Sequence, residues 1–201
     1  MPRRQVSTQL TSYRVFIASP GGLEDERQVF RDTLNEYNEE AAVRRGVHFR
    51  PVGWEETLGG IGRPQSIINK EIESCDYFFT VLWNRWGSSP NAPGDEGFSS
   101  GVEEEYNLAL GCVDDEELPM REVVVFFKAP ADQQIADPGP ELTRVLEFKT
   151  ELEQSKQVLF RVYDSTSEFS RFLRRHLADW VFEHEESHSD PALDPGGDST
   201  S

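Results

Sequence analysis

The chain has 201 residues, of which 36% are hydrophobic and 28% charged, a composition typical of a globular domain rather than of a disordered chain. Its 37 acidic and 20 basic residues give a formal net charge of −17, which argues against general nucleic-acid binding and against docking on anionic membranes. No apolar run approaches the ~20 residues that a bilayer-spanning helix needs, and residues 1–12 lack the apolar stretch of a secretory signal. We therefore expect a cytoplasmic protein.

The two ends of the chain differ in composition from its middle. Residues 183–201 hold six carboxylates and no Lys or Arg, together with several Pro, Gly and Ser residues. Such a segment buries too little apolar surface to offset the entropy of ordering it, which predicts a disordered acidic tail. Residues 1–12 are interpreted as a loose arm, so a single domain is expected over residues 13–182.

Strand-like and helix-like segments alternate through this domain. Strands are predicted at residues 13–18, 47–52, 76–83, 122–128 and 157–163. Helices are predicted between and after them, at residues 23–45, 64–74, 101–111, 141–154 and 167–182. The third and fourth strands are almost continuously apolar, as in a parallel sheet buried on both faces, whereas Pro51 predicts that the second is short or peripheral. The alternation predicts an α/β three-layer sandwich with a five-stranded, mainly parallel sheet.

The turn after the first strand has the composition of a phosphate-binding loop. Ligands of open parallel sheets bind beyond the carboxyl ends of the strands, and Ser19, Pro20, Gly21 and Gly22 lie there, directly before a helix. The two glycines allow close approach of the backbone to a ligand, and free helical N–H groups favour an anion. The alternative is a tight turn in which Ser19 caps the helix.

Three carboxylates begin the helix that follows the third strand. A long loop, residues 88–100, leads to Glu103, Glu104 and Glu105, and loops of this length are often functional. Acids in a first turn also interact favourably with the helix dipole. Because Glu103 and Glu105 cannot share one helical face, we expect one of them to point into the cleft and Glu104 to face solvent.

Three stretches of the sequence resemble one bacterial family. They are YRVFIASPGGLEDERQVF, in which Glu24 and Arg27 form an E-x-x-R pattern, INKEIESCDYFFTVLWNRWG, and SSGVEEEYNLAL with its alternating pair of Glu. Over residues 13–111 the chain resembles the TIR-like superfamily, in the bacterial branch known as domain of unknown function 4062, which is related in fold to TIR domains and nucleoside deoxyribosyltransferases. The resemblance implies a TIR/flavodoxin-like fold.

The resemblance also implies a catalytic residue. Enzymatic members of the TIR group place on this helix a Glu that acts on the ribose of NAD or of a nucleoside, with an Ala four residues later. Glu105 and Ala109 match that spacing, and Glu103 remains the alternate. Val102 departs from the pattern, because the family has a small hydroxyl residue before its first Glu.

The chemistry that the resemblance implies needs few groups. Cleavage of an N-glycosidic bond develops positive charge on the ribose, which a carboxylate stabilises. Nicotinamide is already cationic in NAD, so NAD or a related nucleotide is the expected substrate or ligand and no cofactor or metal is required. Trp54 and Trp86 are candidates to stack on a base or on nicotinamide, with burial as packing residues as the alternative. Arg63 or Arg85 is expected to contact the diphosphate.

One metal-binding pattern is not interpreted as a site. Residues 184–188 read H-E-x-x-H, which binds zinc only on a buried helix with a third ligand. Here the pattern lies at the start of the predicted acidic tail, so we expect no metal.

The first functional hypothesis is therefore a nucleotide-handling domain that hydrolyses NAD at the nicotinamide–ribose bond, as an effector in bacterial defence or signalling. Its expected partners are a nucleotide and either further copies of itself or other signalling proteins. A non-enzymatic module of the same fold, which senses a nucleotide or binds proteins, is the second hypothesis. A nucleoside deoxyribosyltransferase-like enzyme is the third.

Overall fold

The computed structural model describes residues 10–53, 64–90 and 97–189. The elements in chain order are β1 (Thr11–Ala18), α1 (Glu24–Tyr37), β2 (Val47–Gly53), α2 (Pro64–Glu73), β3 (Tyr77–Leu82), α3 (Gly101–Val113), β4 (Glu122–Lys128), α4 (Asp132–Ala136), α5 (Pro140–Ser155), β5 (Phe160–Tyr163) and α6 (Thr166–Ser189). The five predicted strands and five predicted helices are present, and the short α4 is an addition. The first predicted helix changes form after Tyr37, since a π-helical turn and a 3-10 turn carry the chain to Gly46, which ends it with a φ of 77°.

The five strands form one parallel sheet in the order β2-β1-β3-β4-β5. This arrangement confirms the predicted three-layer α/β sandwich, and β2, which contains Pro51, is an edge strand as expected. Because parallel crossovers are right-handed, the reversal of direction after β2 places α1 and α6 on one face of the sheet and α2, α3 and α5 on the other.

A hydrophobic core fills the space on each side of the sheet. Phe79 of β3 belongs to the core under α1 and α6, and its neighbour Phe78 belongs to the core under α2, α3 and α5. Side chains alternate between the faces of a strand, and all six residues of β3 are buried, which explains the continuous apolar run in the sequence. Stacking of Tyr77 on Trp180, at 3.6 Å between ring centroids, anchors α6 to the sheet.

The last helix is longer than the sequence predicts. α6 continues to Ser189, seven residues past the domain boundary expected at Phe182. His184, in the segment predicted to be disordered, is buried and lies 2.8 Å from the hydroxyl of Tyr13 through its Nδ1 atom. This His begins the H-E-x-x-H pattern, and its contact with Tyr13 gives it a role in packing. Residues 190–201 and the predicted arm up to residue 9 lie outside the described residues. No helix within the described ranges is both long and apolar enough to cross a membrane.

Two truncations test where the folded domain ends. Removal of residues 190–201 should leave the melting temperature unchanged, because their composition offers little apolar surface. Removal of residues 184–201 should lower it by about 4–8 °C, because loss of His184 and its hydrogen bond with Tyr13 costs about 2 kcal/mol. Differential scanning calorimetry measures both, and equal melting temperatures would contradict a structural role for His184.

Candidate functional site

A cleft of about 490 Å³ lies at the carboxyl ends of β1 and β3. Ser19, Pro20 and Gly21 line it from the turn after β1, and Arg85 lines it from the loop after β3. The chain leaves these two neighbouring strands in opposite directions along the sheet, which makes their junction the switch point of the strand order. The cleft therefore occupies the position where open α/β sheets bind their ligands.

Glu105 is the carboxylate that faces the cleft. It lies on α3, whose N-cap is Ser100. The Ser100 hydroxyl accepts a hydrogen bond of 3.0 Å from the Glu103 N–H. The side chain of Glu105 is buried, and its Oε1 accepts a hydrogen bond of 3.1 Å from Gln65 Nε2 on α2. Burial raises the pKa of Glu105 to about 7, with a smaller contribution from the charge of Glu104, while the Gln65 hydrogen bond opposes the rise.

The other two acids of α3 make their hydrogen bonds outside the cleft. Glu103 accepts hydrogen bonds from the backbone N–H and the hydroxyl of Ser99, at 2.7 and 2.6 Å, and lies 3.4 Å from Arg144. Glu104 does not face solvent as expected but is buried against α2, where it accepts a hydrogen bond of 2.8 Å from Asn69 Nδ2. Of the three acids, only Glu105 lines the cleft.

The turn after β1 is held from inside the protein. Arg27, buried on α1, donates a hydrogen bond of 2.9 Å to the Ser19 hydroxyl and one of 3.1 Å to Glu24 Oε1. The same Glu24 oxygen accepts a hydrogen bond of 3.1 Å from the N–H of Gly22, whose φ of 92° favours glycine. Ser19 does not cap α1, whose N-cap is Leu23. The E-x-x-R pair thus shapes the turn, and the N–H of Gly22 donates to Glu24 and is not free to bind an anion.

Arg85 supplies the positive charge of the cleft. Its guanidinium lies beside the turn, where a Cβ on Gly21 would be 3.6 Å from Nη1. Within the part of the chain that the structure describes, Arg85 is exposed and pairs with no carboxylate. An unpaired guanidinium at the mouth of a cleft is a natural contact for a phosphate or carboxylate.

The loop after β3 is fixed by a residue that sequence reasoning missed. Glu141, in the first turn of α5, accepts hydrogen bonds from the backbone N–H groups of Trp86 and Gly87 at 2.9 and 3.1 Å. It also lines the cleft. Gln65 was missed as well, and a polar residue at a helix start gives no sign that it will reach a carboxylate 40 positions away.

Trp86 is a packing residue rather than an open platform. It is 4% exposed, its Nε1 donates a hydrogen bond of 2.7 Å to the Ser99 hydroxyl, and its ring lies 5.3 Å from that of Phe148. The Arg144 guanidinium lies over the ring at 5.0 Å. Trp54 and Arg63, the other predicted ligand contacts, lie outside the described residues.

Fold and cleft together define a doubly wound α/β domain with a cleft at its switch point. The chain belongs to the family described as Domain of unknown function (DUF4062), whose model matches residues 14–178. No curated protein is similar enough to count as a match. Among solved structures, the chain is similar to the D319A mutant of the PilB minor pilin from Streptococcus sanguinis, with 11% identity and a TM-score of 0.40. That likeness covers 93% of this chain and 65% of the pilin chain.

The buried carboxyl of Glu105 should reduce stability at high pH. Its folded-state pKa of about 7 lies above the ordinary value of 4.5, so the folded state holds the proton more tightly and stability falls as pH rises between those values. Replacement by Gln, which can still accept the Gln65 hydrogen bond, should therefore raise the free energy of unfolding at pH 8 by a few kcal/mol, at about 1.4 kcal/mol per pKa unit.

Urea unfolding at pH 5 and pH 8 measures this difference, which should fall below about 1 kcal/mol at pH 5, close to the unfolded-state pKa of 4.5. Glu103→Gln is the matched control on the same helix, and it should give no gain at either pH because the Glu103 carboxylate is bonded to Ser99 and close to Arg144. A Glu105→Gln protein that is less stable than wild type at pH 8 would contradict the buried, proton-retaining carboxyl.

Proposed function

We propose that this domain binds NAD or a related nucleotide in the cleft and hydrolyses the nicotinamide–ribose bond, with Glu105 as the catalytic carboxylate. The observation that carries the proposal is the buried carboxyl of Glu105, which lines the cleft at the switch point of the sheet and has a pKa of about 7. Titratable groups perturbed in this way are concentrated at functional sites. The cleft volume of about 490 Å³ falls in the range of small-molecule sites.

The residues that line the cleft suit this reaction. When the bond from C1′ of ribose to the nicotinamide nitrogen breaks, its electron pair leaves with nicotinamide, which becomes neutral, and the ribose takes up positive charge. Ionised Glu105 stabilises that charge, and it does so strongly because the surroundings of the carboxylate are buried. Water then forms the new bond to C1′ and gives its proton to Glu105 or to solvent, a transfer favoured by a pKa near neutrality.

Arg85 is proposed to hold the diphosphate. The guanidinium is exposed, unpaired within the described chain and adjacent to Gly21, whose missing side chain leaves room for a ligand. Charge-assisted hydrogen bonds of this kind are the strong ones in phosphate recognition. Binding of the diphosphate by Arg85 would make the domain selective for nucleotides over nucleosides, which separates the first hypothesis from the deoxyribosyltransferase-like alternative.

Removal of the Glu105 charge tests the catalytic role. Glu105→Gln should reduce nicotinamide release from NAD at least ~100-fold, the usual scale for loss of a preorganised electrostatic group. Chromatographic assay of nicotinamide at high protein concentration measures the rate. In wild type, kcat/KM should rise with pH up to about 7 and then level off, because the carboxylate is the active form.

Glu103→Gln is the control for this assay, and it should keep wild-type activity. Glu104 is unsuitable as a control because it is buried and bonded to Asn69. Full activity in Glu105→Gln, or its loss in Glu103→Gln alone, would contradict the assignment. If the wild-type protein binds a nucleotide but does not hydrolyse it, the hypothesis of hydrolysis would give way to that of nucleotide sensing.

Substitution of Arg85 tests the choice of substrate. Arg85→Gln should raise KM for NAD about 10- to 100-fold, on the scale of one hydrogen bond to a charged group. The rate on nicotinamide riboside, which has no phosphate, should not change. Equal effects on both substrates would mean that Arg85 shapes the cleft rather than binding the diphosphate.

A further inference from the structure

A second cavity, of about 380 Å³, lies at the other end of the sheet and shares no residue with the cleft. It opens beside the first three residues of β4, Glu122, Val123 and Val124, which pair with β3 on one side. On the other side, the pairing of β4 with β5 starts only at Val125, opposite Phe160. Three residues of β4 therefore have a strand partner on one side only, over a length of about 10 Å.

This open edge carries exposed apolar side chains and no Pro. Leu159, just before β5, is 92% exposed and lines the cavity together with Val113, which is 40% exposed. Natural sheets usually protect their edges with Pro, charge or a covering element, and the opposite edge strand, β2, contains Pro51. β5 contains no Pro. We name this cavity, with its unpaired stretch of β4, the edge groove.

The charge of the edge groove is unusual for so acidic a chain. Arg121, Arg161 and Arg175 all line it, and none of the three has a carboxylate within ion-pairing distance among the described residues. The chain has 37 acidic and 20 basic residues, so a cavity lined by three arginines differs in charge from the protein as a whole. Arg161 lies over the ring of Phe172 at 5.9 Å, which directs its guanidinium along the groove wall.

The acids of the edge groove offset only part of this charge. Glu122 accepts a hydrogen bond of 2.6 Å from Trp180 Nε1, so one of its oxygens is already occupied. Asp179 is the other acid of the lining. Burial lowers the pKa of His176, which is therefore neutral at pH 7 and adds no charge. Three cations against two anions leave the groove positive on a negative protein.

We propose that the edge groove binds an extended acidic peptide of a partner protein, which adds to β4 as a short strand. Strand addition obtains affinity from the unpaired backbone groups of an edge and specificity from the side-chain surroundings. Here the surroundings are apolar side chains and three arginines, which match a peptide with alternating apolar and acidic residues. A nucleic acid would also meet the arginines, but it has no peptide N–H and C=O groups with which to extend the sheet beside β4.

Fluorescence anisotropy with the fluorescein-labelled peptide EVDVEV tests the proposal on the full chain. The peptide should bind, and Arg175→Glu or Arg161→Glu should each weaken binding at least 10-fold. Both arginines are exposed and unpaired within the described chain, so these variants should fold. Arg171→Glu is the matched control, because Arg171 lies on the same helix but pairs with Glu168 and does not line the groove, so its substitution should leave the affinity unchanged.

Two further measurements identify the mode of binding. Methylation of alternate backbone nitrogens of the peptide should abolish binding, and hydrogen exchange should show new protection at residues 122–124. Binding that persists after methylation, that is equal for the peptide KVKVKV, or that is insensitive to both arginine variants would overturn the proposal. So would binding that appears only after residues 190–201 are deleted, since the chain's own acidic segment would then be the occupant. Glu105→Gln should bind the peptide like wild type, which separates this test from that of the cleft.

Discussion

The reversal of strand order between β1 and β3 is the constraint on which the candidate site depends. After β1 the chain turns one way along the sheet to reach β2, and after β3 it turns the other way to reach β4. The two connections therefore diverge and leave a gap over the carboxyl ends of the strands. Arg27 holds one wall of this gap through Ser19, and Glu141 holds the other through the backbone of Trp86 and Gly87. Two internally bonded loops thus form a cleft whose shape does not require a ligand.

Within that cleft, the burial of Glu105 destabilises the folded protein at neutral pH. Glu103 accepts two hydrogen bonds from Ser99 and lies close to Arg144, whereas buried Glu105 accepts one hydrogen bond, from the neutral amide of Gln65. Burial of a carboxyl without a cationic partner is unfavourable at neutral pH. A cationic ligand would remove this cost, because it would supply the cationic partner that Glu105 lacks among the described residues. The same burial that disfavours the ionised carboxylate would therefore favour a positively charged ring or transition state beside it.

The sequence was sufficient to predict the fold and the edge of the sheet at which the cleft lies, but only part of the lining of that cleft. Apolar runs and turn residues predict all five strands, because burial in a parallel sheet leaves a strong local pattern. The helical spacing indicates that Glu103 and Glu105 lie on different faces of α3, but it does not indicate which face packs against α2. The expectation that Glu104 is solvent-exposed was therefore wrong. Gln65 and Glu141 act through contacts distant in sequence, for which no local pattern exists. The length of α6 was underestimated because His184 reads as polar, whereas the hydroxyl of Tyr13 makes its burial possible.

The cleft and the edge groove share one feature, which is arginine side chains on a strongly acidic protein. A protein with a net charge of −17 repels anions at long range, but at physiological salt this field is screened within about 8 Å. An anionic ligand that reaches the surface therefore responds to the local charges it meets. Several basic side chains are already paired with carboxylates, as Arg144 is with Glu103, Glu147 and Glu151. Arg85 in the cleft and the three arginines of the edge groove are unpaired within the described chain. Anion binding at the cleft and at the edge groove therefore depends on these local arginines and not on the net charge of the chain.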